Sequence, residues 1–194
     1  MTTTANTDVF DAQERIALAF LALEAKNLAE ALRMLKPVLQ AADVPAEALA
    51  LGGAVYMQLR LFDRAEKLLT RCLEKQPKAP WERCQLGAVQ AQMGKRTEAL
   101  NAWEQVLKDQ PNFFPALLNK GMALLQDGKV PEAMQALDGV VRAAPAGTPY
   151  FEQAKQVLQA LDAQVAAVQA APRANTAASG SRPIPEAYKT PTPS

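Results

Sequence analysis

Four alanines, Ala31, Ala65, Ala99 and Ala133, stand 34 residues apart. The same interval separates Ala19, Gly53, Gly87 and Gly121, and again Pro77, Pro111 and Pro145. Three classes of position share one period, so the chain is a repeat of one unit, and each unit buries its apolar face on its neighbours. Within a unit the small residue is followed after twelve positions by the alanine, and after twelve more by the proline. The first sits midway along one helix and the second near the start of the next. Both fall where two helix backbones come closest, so a larger side chain would force them apart. The proline ends the second helix, because it has no N–H to donate.

The units run 12–45, 46–79, 80–113 and 114–147. The second reads Leu49-x2-Gly52-Gly53-x2-Tyr56, Ala65-x3-Leu69, Pro77. The third reads Arg83-x2-Leu86-Gly87-x2-Gln90, Ala99-x3-Trp103, Pro111, and the fourth Leu117-x2-Lys120-Gly121-x2-Leu124, Ala133-x3-Leu137, Pro145. The first is the most divergent: Arg15-x2-Leu18-Ala19-x2-Ala22, Ala31-x3-Leu35, with Asp43 in place of proline. The pattern resembles the tetratricopeptide repeat, whose outline is W-x2-L-G-x2-Y, A-x3-F, P. That resemblance implies an all-α fold: a right-handed superhelix of four helical hairpins, with the first (A) helix of each hairpin lining the concave side.

Local signals agree with the spacing. Asp11 with Glu14, and Asn27 with Glu30, read as capping boxes opening the two helices of the first unit. Gly94 and Gly128 fall between paired helices, where a left-handed residue is wanted. Pro45, Pro80 and Pro149 fall at helix starts, where the missing N–H is harmless. Val38, Cys72, Val106 and Val140 share one core register, and Leu39, Leu73, Leu107 and Val141 the next. Cys72 is thus expected to be a small buried hydrophobe.

Beyond the fourth unit, Phe151, Ala154, Val157, Leu158, Leu161 and Val165 make one apolar stripe, opposite Gln153, Gln156, Gln159 and Asp162. Residues 148–170 are therefore expected to form a helix that caps the array, since a last hairpin otherwise exposes its apolar face. Residues 171–194, with five prolines, read as a disordered tail. Its stretch from Arg182 to Lys189 is open to two readings, a recognition motif or solubilising chain. Residues 1–11 read as a flexible N-terminus, with Val9 and Phe10 able to tuck against the first hairpin.

An apolar content of 49% excludes disorder throughout, and an aromatic content of 6% suits closely packed helices. A net charge of +1 gives no pull toward nucleic acid or an anionic membrane. The basic residues Arg60, Arg64, Lys67 and Arg71 are interleaved with Asp63, Glu66 and Glu74, as on an ordinary charged outer face. The longest apolar run, Ile16 to Leu23, is eight residues, too short to span a membrane. Neither a secretory signal nor C-x-x-C spacing is present, so a cytoplasmic protein with reduced Cys72 and Cys84 is expected.

The chain contains no histidine, which removes the usual general base and metal ligand. Glu66, Glu98, Glu104 and Glu132 are scattered and read as solvated or i,i+4-paired surface charge. No phosphate loop or paired-ligand metal spacing occurs. The expectation is a non-enzyme with no cofactor and no metal.

Family resemblance places six positions of each unit on the concave groove. They are Gln13, Ile16, Ala17, Phe20, Leu23 and Glu24; Glu47, Ala50, Leu51, Ala54, Met57 and Gln58; Trp81, Cys84, Gln85, Ala88, Ala91 and Gln92; and Pro115, Leu118, Asn119, Met122, Leu125 and Gln126. No cation stands among them, so the groove lacks the carboxylate clamp with which some family members grip acidic chaperone tails. Its expected binding surface is apolar with a seam of amides: Phe20, Leu23, Leu51, Ala54, Met57, Gln58, Trp81, Cys84, Gln85, Ala88, Gln92, Leu118, Asn119, Met122 and Gln126. Trp81 is the favoured anchor on a partner, with packing on the preceding hairpin as its competing role. Trp103, at a core register, is structural. Met57 and Met122 are either adaptable contacts or gap-fillers. Phe20 and Leu23 are either groove or covered by residues 1–10.

The expected partner is an extended or helical segment of another protein, with no nucleic acid and no membrane. The expected role is that of a chaperone, assembly factor or adaptor. Units two to four with the following helix also look distantly like the chaperones of type III secretion translocators. Two other classes stay open. One is a structural subunit that docks or forms a homodimer through its outer helices. In the other, the tail occupies its own groove.

Overall fold

The alternation of helix-forming runs with Gly, Asn and Pro punctuation produces helices separated by short turns. The computed structural model describes residues 10–170. Its described residues form α1 (Ala12–Glu24), α2 (Leu28–Leu39), α3 (Ala46–Gln58), α4 (Phe62–Lys75), α5 (Pro80–Gln92), α6 (Arg96–Asp109), α7 (Phe114–Gln126), α8 (Val130–Ala143) and α9 (Pro149–Ala170), with no strand among them. The expectations for Val9 and for residues 171–194 lie outside the described residues.

Helices pair as α1–α2, α3–α4, α5–α6 and α7–α8, and each pair packs on the next. The A helices α1, α3, α5 and α7 each lie beside the following A helix, whereas α2, α4, α6 and α8 do not approach one another. Closer approach on one side means that the stack curls, with the A helices inside.

The small-residue register is buried as its spacing demands. Ala31, Ala65, Ala99 and Ala133 are all fully buried, as is Ala19. Opposite each small A-helix residue sits the bulky residue four beyond the alanine. A Cβ on Gly53 would lie 2.7 Å from Leu69 Cγ, and one on Gly121 3.0 Å from Leu137 Cγ. The core then continues through Leu35, Leu49, Val55, Leu69, Cys72, Val89, Leu137 and Val140, each essentially inaccessible. Cys72 donates to the Ala46 carbonyl at 3.4 Å while filling its core site.

Turn chemistry varies along the array. Gly94 and Gly128 take positive φ between their helices, at +76° and +72°. In the first two hairpins Lys26 and Arg60 adopt that conformation instead, both at φ 58°. Asp11 and Glu14 form a complete capping box, with bonds of 2.8 and 2.9 Å. The second box is only half made: Asn27 accepts from Glu30 N–H, but the Glu30 carboxylate turns to Arg33 at 2.7 Å. The nearby guanidinium outcompetes a backbone N–H for the carboxylate. Pro45 is the N-cap of α3, and Pro80 and Pro149 begin α5 and α9.

Two carboxylates depart from the i,i+4 expectation. Glu66 pairs with Lys95 at 2.6 Å and Glu104 with Lys120 at 2.9 Å, each across neighbouring hairpins. Stacked hairpins bring residues 29 and 16 apart in sequence as close as helix neighbours, and sequence periodicity within one helix does not show that.

Thr148 opens α9, accepting from Phe151 N–H. Ala154 is buried and Phe151, Val157 and Leu158 half-buried. The compact unit ends at Leu158, and residues 159–170 belong to a second unit in which Val165 is 43% exposed.

Candidate functional site

Three A helices of one curl share a face, and their inward residues enclose a hollow. It has a volume of about 710 Å³ and lies between α1, α3 and α5. Its wall is Ile16, Ala17, Phe20, Leu21, Leu23, Ala50, Leu51 and Ala54, with Glu24, Glu47, Glu82 and Gln85 as the polar members. Phe20 is 53% exposed and Leu21 63% exposed, high values for large apolar side chains.

Of the expected binding residues, the hollow gathers Phe20, Leu23, Leu51, Ala54 and Gln85. The others lie elsewhere. Met57 is half-buried against the cluster of Ala65, Leu69 and Val89, which makes it a core filler. Gln58 is exposed at the end of α3, and Gln92 at the end of α5. Ala88 packs partly into the cluster around Trp103. Met122 is half-buried, and exposed Gln126 accepts from Arg96 at 2.9 Å.

Cys84 and Leu118, expected on the surface, are buried at 3% and 5% exposure. Cys84 sits in the cluster of Ala99, Trp103 and Ala116, so α6 and α7 together cover it, and α7 belongs to the next unit, which counting positions within one unit does not capture. Asn119 donates to Cys84 Sγ at 3.4 Å, which ties the amide inward. Burial pushes the Cys84 thiol up to about 11, against a smaller downward pull from the Asn119 amide. Cys72 is raised as well, first by burial and then by the negative charges of Glu82 and Glu47. Both thiols are free, and their raised pKa values keep them protonated and unreactive near neutral pH.

Trp81 stands outside the hollow. Its ring meets Phe113 edge to face, with centroids 5.1 Å apart, and 47% of the residue remains exposed. Phe113 closes the third unit and is the N-cap of α7, so the tryptophan packs where its own hairpin meets the next one. Trp103 is 2% exposed and donates its indole N–H to the Cys84 carbonyl at 3.1 Å.

Leu21 and Glu82 belong to the hollow but were not among the expected positions. The unbroken apolar run from Ile16 to Leu23 carries the signal for Leu21, since a helix apolar on every face has too few neighbours here to bury it all.

Two further hollows open elsewhere on the hairpins. One, of about 610 Å³, is lined by Leu39, Tyr56, Arg64, Leu68, Thr70 and Arg71 among others. The second, of about 700 Å³, lies among residues of α6, α7 and α8. In the first, Arg64 stacks over Tyr56 at 5.6 Å, and nearby Arg60 lies over Phe62 at 5.9 Å, so these cations already have aromatic partners.

Among the described residues, no cluster of three or more His, Cys, Asp or Glu is placed to hold a metal ion. Nor is any described helix long and apolar enough to cross a membrane.

Residues 84–148 match the tetratricopeptide repeat family model. No curated protein sequence matches the chain. Among solved structures, MamA is similar at 21% identity and a TM-score of 0.60, over 81% of this chain and 83% of that one. YrrB, described as a TPR protein with an unusual peptide-binding site, is similar at 22% identity and a TM-score of 0.64, over 75% of this chain and 74% of its own. The Sgt2 TPR domain from Aspergillus fumigatus is similar at 18% identity and a TM-score of 0.56, over 64% and 81%. At these identities the likeness is one of fold.

Proposed function

We propose that this chain, whose residues 84–148 match the tetratricopeptide repeat family model, is a non-catalytic protein-binding module whose A-helix face holds a segment of another protein. The observation that carries the reading is the hollow between α1, α3 and α5, with Phe20 and Leu21 more than half exposed on it. Exposed apolar side chains grouped in a concavity are unfavourable in water and gain by burial against a partner, at about 25 cal/mol per Å². That YrrB has a peptide-binding site on a similar fold supports the same reading.

In this reading residues 12–147 are the binding array, residues 148–170 its cap, and the role is that of a cytoplasmic chaperone, assembly factor or adaptor. Two free, buried cysteines suit a reducing compartment. Neither nucleic acid nor membrane is needed as a partner, because binding rests on apolar burial.

Affinity capture from the native host tests the proposal, using the intact chain beside a Phe20→Ser, Leu21→Ser double variant and a Thr70→Arg control outside the hollow. Both hollow positions are exposed, so circular dichroism should show each variant folded. Partners held by the parent and the control, and lost from the double variant, support the assignment. Equal recovery by all three removes the hollow from the binding surface.

A further inference from the structure

The hollow is apolar at its wall but one-signed in its charge. Glu24, Glu47 and Glu82 all line it, one from each A helix, and no Lys or Arg does. None of the three carboxylates has an ion pair or side-chain hydrogen bond among the described residues. The nearest basic neighbour in sequence, Arg83, is directed elsewhere, donating to Gln105 at 2.8 Å and to the Pro77 carbonyl at 2.6 Å.

Helix-end electrostatics account for two of these acids but not the third. Glu47 and Glu82 lie in the first turns of α3 and α5, where negative charge is favoured by the helix dipole. Glu24 is the last residue of α1, where the dipole disfavours negative charge, and that turn holds no basic residue. Consecutive A helices run the same way, since each follows an antiparallel partner through short turns. Glu47 and Glu82 therefore mark one edge of the hollow and Glu24 the other, about one helix length or roughly 18 Å away. Between them the Gln85 side-chain oxygen is buried without a hydrogen-bond partner, an acceptor awaiting a donor.

We propose that the hollow takes a cationic segment of another protein, with apolar anchors on the Phe20 and Leu51 wall and Lys or Arg side chains at both edges. This rests on the reading of the hollow as a binding site and adds the charge of what binds there. Negative charge at both rims attracts such a segment and repels an acidic one of the same apolarity.

The test uses fluorescence anisotropy on the intact chain with three labelled peptides of about a dozen residues. All carry the same leucine anchors, and their flanking positions are lysine, glutamine or glutamate. The lysine peptide should bind about tenfold more tightly than the glutamine one at low ionic strength, the sum of a few exposed ion pairs. The glutamate peptide should bind most weakly. Added salt and a Glu24→Gln, Glu47→Gln, Glu82→Gln variant should each erase the preference, bringing the lysine, glutamine and glutamate peptides to one affinity.

Equal binding of all three peptides would overturn the charge assignment and leave the hollow as a binding site. So would a lysine preference that survives the triple variant. Loss of all binding in the Phe20→Ser, Leu21→Ser variant supports the site. Failure of every peptide to bind the parent would overturn the site and the charge together. Residues 171–194 carry Arg173, Arg182 and Lys189 against Glu186, so deletion of this segment is the remaining arm. A large gain in lysine-peptide affinity on deletion would make the chain's own tail the occupant and overturn the assignment to a second protein. Unchanged affinity supports it.

Discussion

The indole nitrogen of Trp103 lies 2.6 Å from the point where a Cβ on Gly87 would stand. That nitrogen is also bonded to the Cys84 carbonyl, so the ring cannot rotate away without leaving a buried N–H unpaired. Alanine is the better helix former by about 1 kcal/mol, but overpacking a filled core costs about 1–3 kcal/mol and the lost hydrogen bond adds to it. Gly87→Ala should therefore be destabilising by about 1–3 kcal/mol in denaturant titrations. Gly52→Ala is the control: its nearest neighbours are methyl ends of Leu68 and Leu39, which can swing aside. It should lie within about 0.5 kcal/mol of the parent, or above it. Equal stability of the two variants would show that the third hairpin is looser than described.

The two tryptophans should separate cleanly by spectroscopy. Trp81 is 47% exposed and Trp103 is 2% exposed. In a Trp81→Phe variant the remaining Trp103 emission should be blue-shifted and shielded from acrylamide. In a Trp103→Phe variant, Trp81 should emit further to the red and quench readily. Stability should divide the same way. Trp103→Ala removes a core side chain and should cost about 3–5 kcal/mol, whereas Trp81→Ala loses chiefly its edge contact with Phe113, about 0.5–1.5 kcal/mol.

The repeat was legible because it depends on volume. A residue under Leu69, Trp103 or Leu137 must be small, and that requirement recurs at Gly53, Gly87 and Gly121 whatever else varies. Burial within a hairpin therefore follows from one sequence. The site was less legible because it depends on contacts between hairpins. Counting positions along an isolated A helix puts Cys84 and Leu118 at the surface, but both are buried, Cys84 among residues of α6 and of the next hairpin's α7. Leu21 shows the opposite effect: in the first hairpin of the array it is left 63% exposed. Ion pairs between hairpins, such as Glu66 with Lys95, were hidden for the same reason.

Adjacent residues Lys95 and Arg96 make different kinds of bond, and their removal should differ accordingly. Lys95 pairs with Glu66 in a partly exposed ion pair, so Lys95→Ala should cost about 0.2–1 kcal/mol and the effect should shrink in high salt. Arg96 reaches the end of α7, pairing with Asp127 at 2.7 Å and donating to Gln126 and to the Ala123 carbonyl. It thereby offsets the helix's negative end and adds a second donor to a last-turn carbonyl that already accepts from Asp127 N–H. Arg96→Ala should cost about 1.5–3 kcal/mol, and much of that should persist in salt because the carbonyl bond is not an ion pair. A smaller loss from Arg96 than from Lys95 would mean that the clamp on α7 contributes nothing.

Cys84 should make stability fall in alkali over a defined window. Burial raises its thiol from 9.0 to about 11 in the fold. The folded state then holds the proton more tightly than the unfolded one. Its contribution is complete below pH 9.0, declines as pH rises from there, and is gone above about 11. A shift of that size corresponds to roughly 3 kcal/mol across the window. Tyr150 and Cys72 are also raised, so the parent's own profile mixes several groups. The difference between parent and Cys84→Ala removes most of that background. Measured by urea unfolding, the parent's advantage at pH 8 should shrink steadily toward pH 11. Native protein at pH 8 should also react slowly with thiol reagents, and only as fast as it opens. Parallel stability profiles for the two proteins would mean that Cys84 titrates as an exposed thiol, and would contradict its place beneath Asn119.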